Sequence, residues 1–364
     1  MNIYKKIIRP ALFHLYPETA HNAAISAGYL IGKINNPVFD ELGKKLIYKN
    51  KNLETELFGI KFENPLGMAA GFDKNGKLLN IAHYAGFGFH VVGSVTAKES
   101  KGNNKPRIFR LPEDEAIINR IGLENYGATK ISILIKKSKP KIPYFVSIAK
   151  THNACASDYS GFDDILSSFR KLHQFGCGTI LNISCPNTSE SRKFEEPDNL
   201  ENLLSKIDDE RCSYDWKPVF LKISPDIKNN VLERDIEICK DYDINGFVIC
   251  NTTESRECLK TNEKNTKKLR GGLSGKPLKL KSNKLIEQVY KIKEEDQSII
   301  GVGGIFSGKD AYEKILLGSN LEKIFTAIPY EGPFVCNKIN YELSQFLEHD
   351  GFRNISEAVG YYVK

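Results

Sequence analysis

The segment Asn182-Ile183-Ser184-Cys185-Pro186-Asn187-Thr188 sets a thiol, two amides and two hydroxyls within seven consecutive positions. Each asparagine both donates and accepts hydrogen bonds, which suits a flat polar ligand. Cys185 can move a proton or attack as a thiolate. Pro186 lacks an amide hydrogen and stiffens the turn that presents these groups. A single polar loop of this kind arises by chance, so its weight depends on whether other segments end in similar chemistry.

Several do. Asn119-Arg120-Ile121-Gly122-Leu123 and Asn251-Thr252-Thr253 offer further amides and hydroxyls. Asn119, Asn182, Asn187 and Asn251 could together ring a planar ligand with amide or carboxylate edges, although any one alone is more often a turn residue. Lys222 ends the apolar run Val219-Phe220-Leu221-Lys222-Ile223. A lysine turned into a protein interior needs an anionic partner or loses its charge; turned outward, it simply snorkels to water. Lys74 has a similar claim after Gly71, while Asp73 beside it reads as a surface residue. Gly303-Gly304, with Gly271-Gly272-Leu273-Ser274-Gly275, exposes backbone amides that could close around a phosphate-bearing cofactor. Paired carboxylates, HExxH and a Ser-His-Asp order do not stand out, which sets hydrolases behind.

These groups need elements to hold them. Short apolar runs recur at 64–70, 88–95, 144–149, 179–184, 219–223, 246–250, 298–303 and 323–327. Helical patterns lie between them, as at 162–175, 231–242, 280–292 and 309–317. This alternation predicts a parallel α/β sheet, and eight units predict a closed (β/α)8 TIM barrel. The polar residues then follow the strands in turn: Ala70 to Lys74, Ser94, Lys150, Asn182 to Thr188, Lys222, Asn251, Gly303-Gly304 and Thr326. Barrel active sites gather at that end. An open doubly wound sheet is the rival, but no GxGxxG opens the first unit.

Residues 1–45 read as a separate small helical domain and 46–364 as the barrel domain. Ile3, Tyr4, Ile7, Ile8, Leu12, Phe13, Leu15 and Tyr16 are interleaved with Lys5, Lys6 and Arg9. A second helical pattern begins at Pro17. Two amphipathic helices follow from this spacing, either docked on the barrel or dipping into a membrane surface. The net charge of +7 comes from scattered lysines, which argues against nucleic acid as a partner. The eight cysteines form no CxxC pair, so neither zinc nor a disulfide framework is expected, and reduced thiols facing a cytosol fit best. No apolar run approaches the roughly 20 residues that span a bilayer, and no signal peptide pattern opens the chain.

Taken together, these motifs resemble the dihydroorotate dehydrogenase family, over nearly the whole chain. Asn64-Pro65-Leu66-Gly67, Ala69 to Lys74, Lys105-Pro106-Arg107-Ile108-Phe109-Arg110-Leu111, Asn182 to Thr188, Asn251 to Thr253, Gly271 to Gly275 and Ile300 to Gly304 carry the likeness. The N-terminal helices with Pro17-Glu18-Thr19-Ala20-His21 look like class 2, the branch that passes electrons to a quinone. The resemblance implies FMN in the barrel mouth and oxidation of dihydroorotate to orotate in pyrimidine biosynthesis. It places FMN on Ala70, Gly71, Lys74, Ser94, Asn182, Lys222, Cys250, Gly275, Gly304, Phe325 and Thr326. It places substrate on Lys74, Asn119, Arg120, Ile121, Gly122, Leu123, Asn182, Asn187, Asn251 and Thr252. His21 and Arg110 would line the entrance for ubiquinone or menaquinone. Cys185 would take the substrate's C5 proton while hydride leaves C6 for the flavin. A monomer on the cytoplasmic face of a bacterial inner membrane is implied, or the mitochondrial inner membrane in a eukaryote.

The chain departs from the class 2 pattern in places. Cys185 stands where that class has serine and Leu123 where it has phenylalanine; both look like class 1, the soluble branch. Ser147 replaces an asparagine, Cys250 a threonine and Phe325 a tyrosine, each shortening or losing a polar group in the flavin shell. Ala149-Lys150-Thr151 replaces Gly-Lys-Asn. A divergent paralogue acting on a related dihydropyrimidine ring, or using a soluble acceptor, is therefore the competing enzyme reading. A flavin-binding protein without catalysis is the competing class.

Overall fold

The strand–helix alternation closes on itself. The computed structural model describes residues 3–34, 41, 43–152, 161–184, 187, 194–257 and 259–363, the side chains at 263 and 265 excepted. A hairpin of β1 (Thr55–Leu57) and β2 (Ile60–Phe62) comes first. The barrel strands are β3 (Leu66–Asp73), β4 (Phe89–Val95), β7 (Tyr144–Ile148), β8 (Thr179–Leu181), β9 (Val219–Ile223), β10 (Gly246–Ile249), β12 (Ser298–Val302) and β13 (Leu321–Ile324). Each pairs in parallel with the next, and β13 returns to β3. The (β/α)8 expectation holds. The eighth strand is the exception in register: it starts at Leu321 and ends at Ile324, not over 323–327. Thr326 instead leads into the short helix Ala327–Glu331.

Both faces of these strands are buried, which is why they read as continuous apolar runs rather than alternating ones. Phe89, Val91, Phe145, Ile180, Phe220, Val248, Ile300 and Leu321 point inward and fill the barrel. Their neighbours, such as Val92, Val146, Leu181, Leu221 and Phe247, pack outward against helices. Among those helices are Ala128–Lys136, Gly161–Leu172, Pro197–Arg211, Asn229–Asp241 and Lys279–Ile292. Gly308–Leu316 and Val335–His349 cover the remaining side. The hairpin closes the N-terminal end: Phe62 meets Phe89 edge-on at 5.7 Å and stacks on Phe145 at 6.4 Å.

At the opposite end, two excursions combine. β5 (Ile108–Leu111) and β6 (Ala116–Asn119) leave the chain after β4, and β11 (Gly272–Gly275) leaves it after β10. They form one antiparallel sheet in the order β5-β6-β11, with Gly272 opposite Asn119 and Gly275 opposite Ala116. Leu111, Ala116, Ile118 and Leu273 give it an apolar core. This sheet is what carries Asn119, Ser274 and Gly275 to the mouth.

The N-terminal segment forms a π-helical turn (Tyr4–Ile8), α1 (Arg9–His14) and α2 (Pro17–Ile31). It docks against the barrel end. Gly28 lies so close to Leu78 that a Cβ there would come within 2.5 Å of that side chain. Asn80 donates to the Gly32 carbonyl at 3.1 Å, Tyr4 to the Pro329 carbonyl at 2.8 Å, and Lys5 pairs with Glu331 at 2.5 Å. Ile3, Ile7, Ile8, Leu15, Leu30, Ile31 and Ile34 remain exposed. No helix among the described residues is long and apolar enough to cross a membrane.

Candidate active site

Strand geometry alone builds the floor of the site. Side chains two residues apart on a strand share a face. One step beyond the apolar layer, the inward positions become Ser147 after Phe145, Asn182 after Ile180, Lys222 after Phe220, Cys250 after Val248 and Lys323 after Leu321. The barrel therefore turns from hydrocarbon to polar groups at its C-terminal end. A pocket of about 1140 Å³, part of it open to solvent, lies above this layer.

A chain of hydrogen bonds fixes the amides. Ser94 and Ser147 hydroxyls meet at 2.8 Å, and Asn182 Nδ2 donates to Ser94 Oγ at 2.8 Å. Asn251 Nδ2 donates to Ser184 O at 2.7 Å and to Asn182 Oδ1 at 3.3 Å. Across the pocket, Asn187 Nδ2 donates to Asn119 Oδ1 at 3.3 Å. Asn187 Oδ1 is buried and finds no donor among the described residues. A buried polar atom without a partner costs free energy, and this one belongs to a residue that lines the pocket. Ser147 is wholly buried on Ser94, so its shorter side chain orients Ser94 instead of reaching the cavity.

The opposite wall fits a phosphate. Gly303 and Gly304 have φ of +122° and +75°, in the left-handed region that excludes most side chains. A Cβ on Gly304 would lie 2.7 to 2.8 Å from Lys279 backbone atoms. Thr326 Oγ1 donates to Ser274 Oγ at 2.9 Å beside them. Phe325 stands edge-on to Phe72 at 5.5 Å and closes over Gly71. Cys250 is buried in the wall, and burial pushes its thiol up to about 11, so it stays protonated.

Lys74 lines the pocket and pairs with Glu124 at 2.9 Å. Glu124 is held in turn by Arg107, whose Nη2 lies 2.6 Å from it. Arg107 is 2% exposed and also binds Glu18 of α2, with Nη2 to Oε1 at 2.6 Å and Nε to Oε2 at 3.1 Å. Burial works against the Glu18 and Glu124 charges, yet the cations beside them win and hold both carboxyls below the usual range. A second cavity of about 930 Å³, also open to solvent, lies under α2. Lys74 and Glu124 line both cavities and so form part of the wall between them.

Most of the expected residues meet in the first pocket. Ala70, Gly71, Lys74, Ser94, Asn119, Ile121, Gly122, Leu123, Asn182, Asn187, Lys222, Cys250, Asn251, Thr252, Gly275, Gly304, Phe325 and Thr326 all line it. Arg120 does not: its guanidinium turns away and donates to the Pro106 carbonyl at 2.9 and 3.1 Å. His21 lines the second cavity, edge-on to Phe72 at 5.2 Å. Burial, then the Lys74 charge, lowers it to about 4. Arg110 sits apart from it, stacked on Phe13 and donating to the Phe13 and Leu15 carbonyls. Asp73 is not a surface residue: it is buried, caps the Lys77 and Leu78 amides, and accepts from His90 at 3.1 Å. Cys185, Pro186 and Thr188 lie outside the described residues. Glu124 and Lys323 escaped the sequence reading, and the roles of Arg107 and Ser274, which lie within quoted motifs, depend on partners distant in the chain.

A family model described as dihydroorotate dehydrogenase matches residues 52–347. The chain belongs to the dihydroorotate dehydrogenase family. Proteins named dihydroorotate dehydrogenase (quinone) from Gloeobacter violaceus and Halobacterium salinarum are each 36% identical to it. The first match covers 99% of both chains, the second 97% of this chain and 98% of the relative. A crystal structure of DHODH from Eimeria tenella with ferulenol superposes with a TM-score of 0.84 at 29% identity, covering 95% of each chain. The ligand-free form gives 0.85 at 29%, covering 95% of this chain and 99% of that one. The likeness to these dihydroorotate dehydrogenase structures thus extends over nearly the whole chain.

Proposed function

We propose that this chain is a quinone-linked dihydroorotate dehydrogenase, oxidising dihydroorotate to orotate with FMN in de novo pyrimidine synthesis. The observation that carries the reading is the polar layer at the barrel mouth. It joins four asparagines, a glycine cradle and cationic lysines in one pocket. FMN, when bound, supplies the two-electron acceptor that links the substrate to the quinone. Glycines 275, 303 and 304 with Thr326 would hold its phosphate through backbone amides and a hydroxyl. Asn119, Asn187, Asn251 and Thr252 would hold the flat substrate ring, with the free Asn187 Oδ1 taking a ring N–H. Lys74 would meet the substrate carboxylate, its ammonium kept in place by Glu124. Such fixing of the ring supplies orientation.

Cys185 is the proposed base, taking the proton from the substrate carbon. It follows Ser184, whose carbonyl and hydroxyl are tied to Asn251. The N-terminal segment, residues 1–45, is proposed as a membrane-facing unit distinct from the catalytic domain of residues 46–364. Its exposed isoleucines and leucines beside Lys5, Lys6 and Arg9 suit a peripheral contact with an anionic leaflet, on the side of the membrane where pyrimidines are made. His21 and Arg110 would border the quinone's route there, and the protein is expected to act as a monomer.

Anaerobic titration of the purified yellow protein with dihydroorotate tests this reading. The flavin absorbance should bleach stoichiometrically and return on adding a short-chain quinone. Absence of bleaching would refute it, and reoxidation by fumarate or NAD but not quinone would refute the quinone assignment.

A further inference from the structure

Two lysines occupy the polar layer inside this barrel, and the sequence motifs account for only one. Lys222 follows Phe220 by two residues and Lys323 follows Leu321 by two, so both share the inward face of their strands. Both line the pocket. Lys323 is 2% exposed. Among the described residues no group gives it a hydrogen bond or ion pair, and the charge that acts on it is the repelling one of Lys222. Burial first, then Lys222, holds its ammonium well below the usual lysine range.

The fold treats its other buried lysine differently. Lys314 is wholly buried and donates to Ser282 Oγ at 2.8 Å and Asn283 Oδ1 at 2.7 Å. Its nearby carboxylate, Glu322, is bonded to Ser319 and faces away from the barrel interior. Lys323 has no such complement among the described residues and lines the pocket. An unpaired buried amine is costly, so its complement is a negative charge delivered with a ligand. The glycine cradle at 303 and 304 lies in the loops beyond the strands, whereas Lys323 stands within β13, paired with Val302 and Gly67. Lys74 is already matched by Glu124.

We propose that Lys323 is a second cationic residue for the flavin ring, and that with Lys222 it makes the pocket hold the two-electron-reduced ring more tightly than the oxidised one. The proposal rests on the FMN reading above. Uptake of two electrons and one proton leaves the ring with one negative charge, while the oxidised ring is neutral. Two inward lysines, with Lys323 favoured in its protonated form beside the anionic ring, therefore discriminate between the forms.

The test replaces Lys323 by Met, which keeps the volume and removes the charge. Flavin midpoint potential, oxidised-FMN affinity and sulfite binding are compared with the parent holoenzyme. The ratio of reduced to oxidised affinity should fall on the order of tenfold, which is about 30 mV for a two-electron couple. Sulfite, which adds to the ring and leaves it anionic, should bind about as much more weakly. Oxidised FMN should bind within a few-fold of the parent, and the flavin-free protein should be no less stable, because an unpaired buried amine has been removed. Lys323→Gln gives the same readouts should the Met variant fold poorly. An unchanged affinity ratio would overturn the proposal. So would an equal loss of oxidised and reduced FMN, which marks a phosphate anchor. A parent protein that binds no FMN would instead sink the functional reading itself.

Discussion

Glu18→Ala should release α2 from the barrel without unfolding it. Among the described residues Glu18 is the only carboxylate through which Arg107 reaches the N-terminal segment, and the pair is bidentate with both side chains at 2% exposure. Breaking a buried pair by removing one partner costs about 3–5 kcal/mol. Arg107 keeps Glu124 and the Lys101 and Asn103 carbonyls at 2.8 and 3.0 Å, which places the loss near ~3 kcal/mol, the low end of that range. At about 1.4 kcal/mol per decade, the docked-to-undocked ratio of α2 falls roughly a hundredfold. Hydrogen–deuterium exchange reads this directly. Amides of Ile25 to Leu30 should lose about two orders of magnitude in protection, while those of β4 and β9 keep theirs. The pH dependence has a definite sign. Both carboxyls of the network have folded-state values below their unfolded ones, so their stabilisation is present above the ordinary carboxylate range and is lost as pH falls through the lowered values. In the parent protein, α2 protection should hold at pH 5 and collapse only below about pH 4. A change of less than fivefold in Glu18→Ala, or equal loosening of the barrel strands, would refute the reasoning.

Four further outcomes are expected. Glu124→Gln should raise KM for dihydroorotate about tenfold with a smaller effect on kcat, because Lys74 loses its fixed partner; steady-state kinetics will show the split. Gly304→Ala should yield protein depleted of FMN and less stable by about 2 kcal/mol or more, since a Cβ meets the Lys279 backbone and φ is +75°; flavin absorbance and urea unfolding report both. Asp235, pushed up to about 8 by burial and then by Glu195, keeps a proton that the unfolded chain has released. Its contribution to parent stability therefore declines as pH rises from 4 to 8, and Asp235→Asn should remove that contribution and raise the urea midpoint at pH 8. Cys185→Ser should move the acidic limb of the pH–rate profile upward by at least about one unit, since a free thiol ionises near 8.5 and a hydroxyl far higher; an unchanged profile would remove Cys185 from the role of base.

The strands were legible because parallel barrels bury both faces, and runs such as Phe89 to Val95 need no partner to be recognised. β13 was displaced because two charged residues, Glu322 and Lys323, sit inside a buried strand and break its apolar signal. The same break hid Lys323, which only the pairing of Lys323 with Gly67 on β3 places at the pocket. The asparagines announced themselves by lying after strands. Their mutual bonds, such as Asn187 to Asn119, join segments 68 residues apart and have no spacing to read. Asp73 was misread for the same reason, as its partner His90 arrives from the next strand. Arg107 sat within a recognised motif, yet its role depends on Glu18, 89 residues away.

The charges of the site also explain why the fold tolerates them. Lys74 and Glu124 cancel, and Asp73 is satisfied by two amides and His90, so these stabilise the protein before any ligand arrives. Lys323 and the Asn187 carbonyl are the opposite case, buried groups left incomplete at the pocket wall. The cost of Lys323 falls on the flavin-free protein and that of the Asn187 carbonyl on the substrate-free one. Any ligand that completes them adds its binding energy to folding, about 4 kcal/mol at a thousand times Kd. Stability and cofactor retention are therefore coupled through the inward face of β13. The lysine that lowers the stability of the empty barrel is the one proposed to select for charge when it is filled.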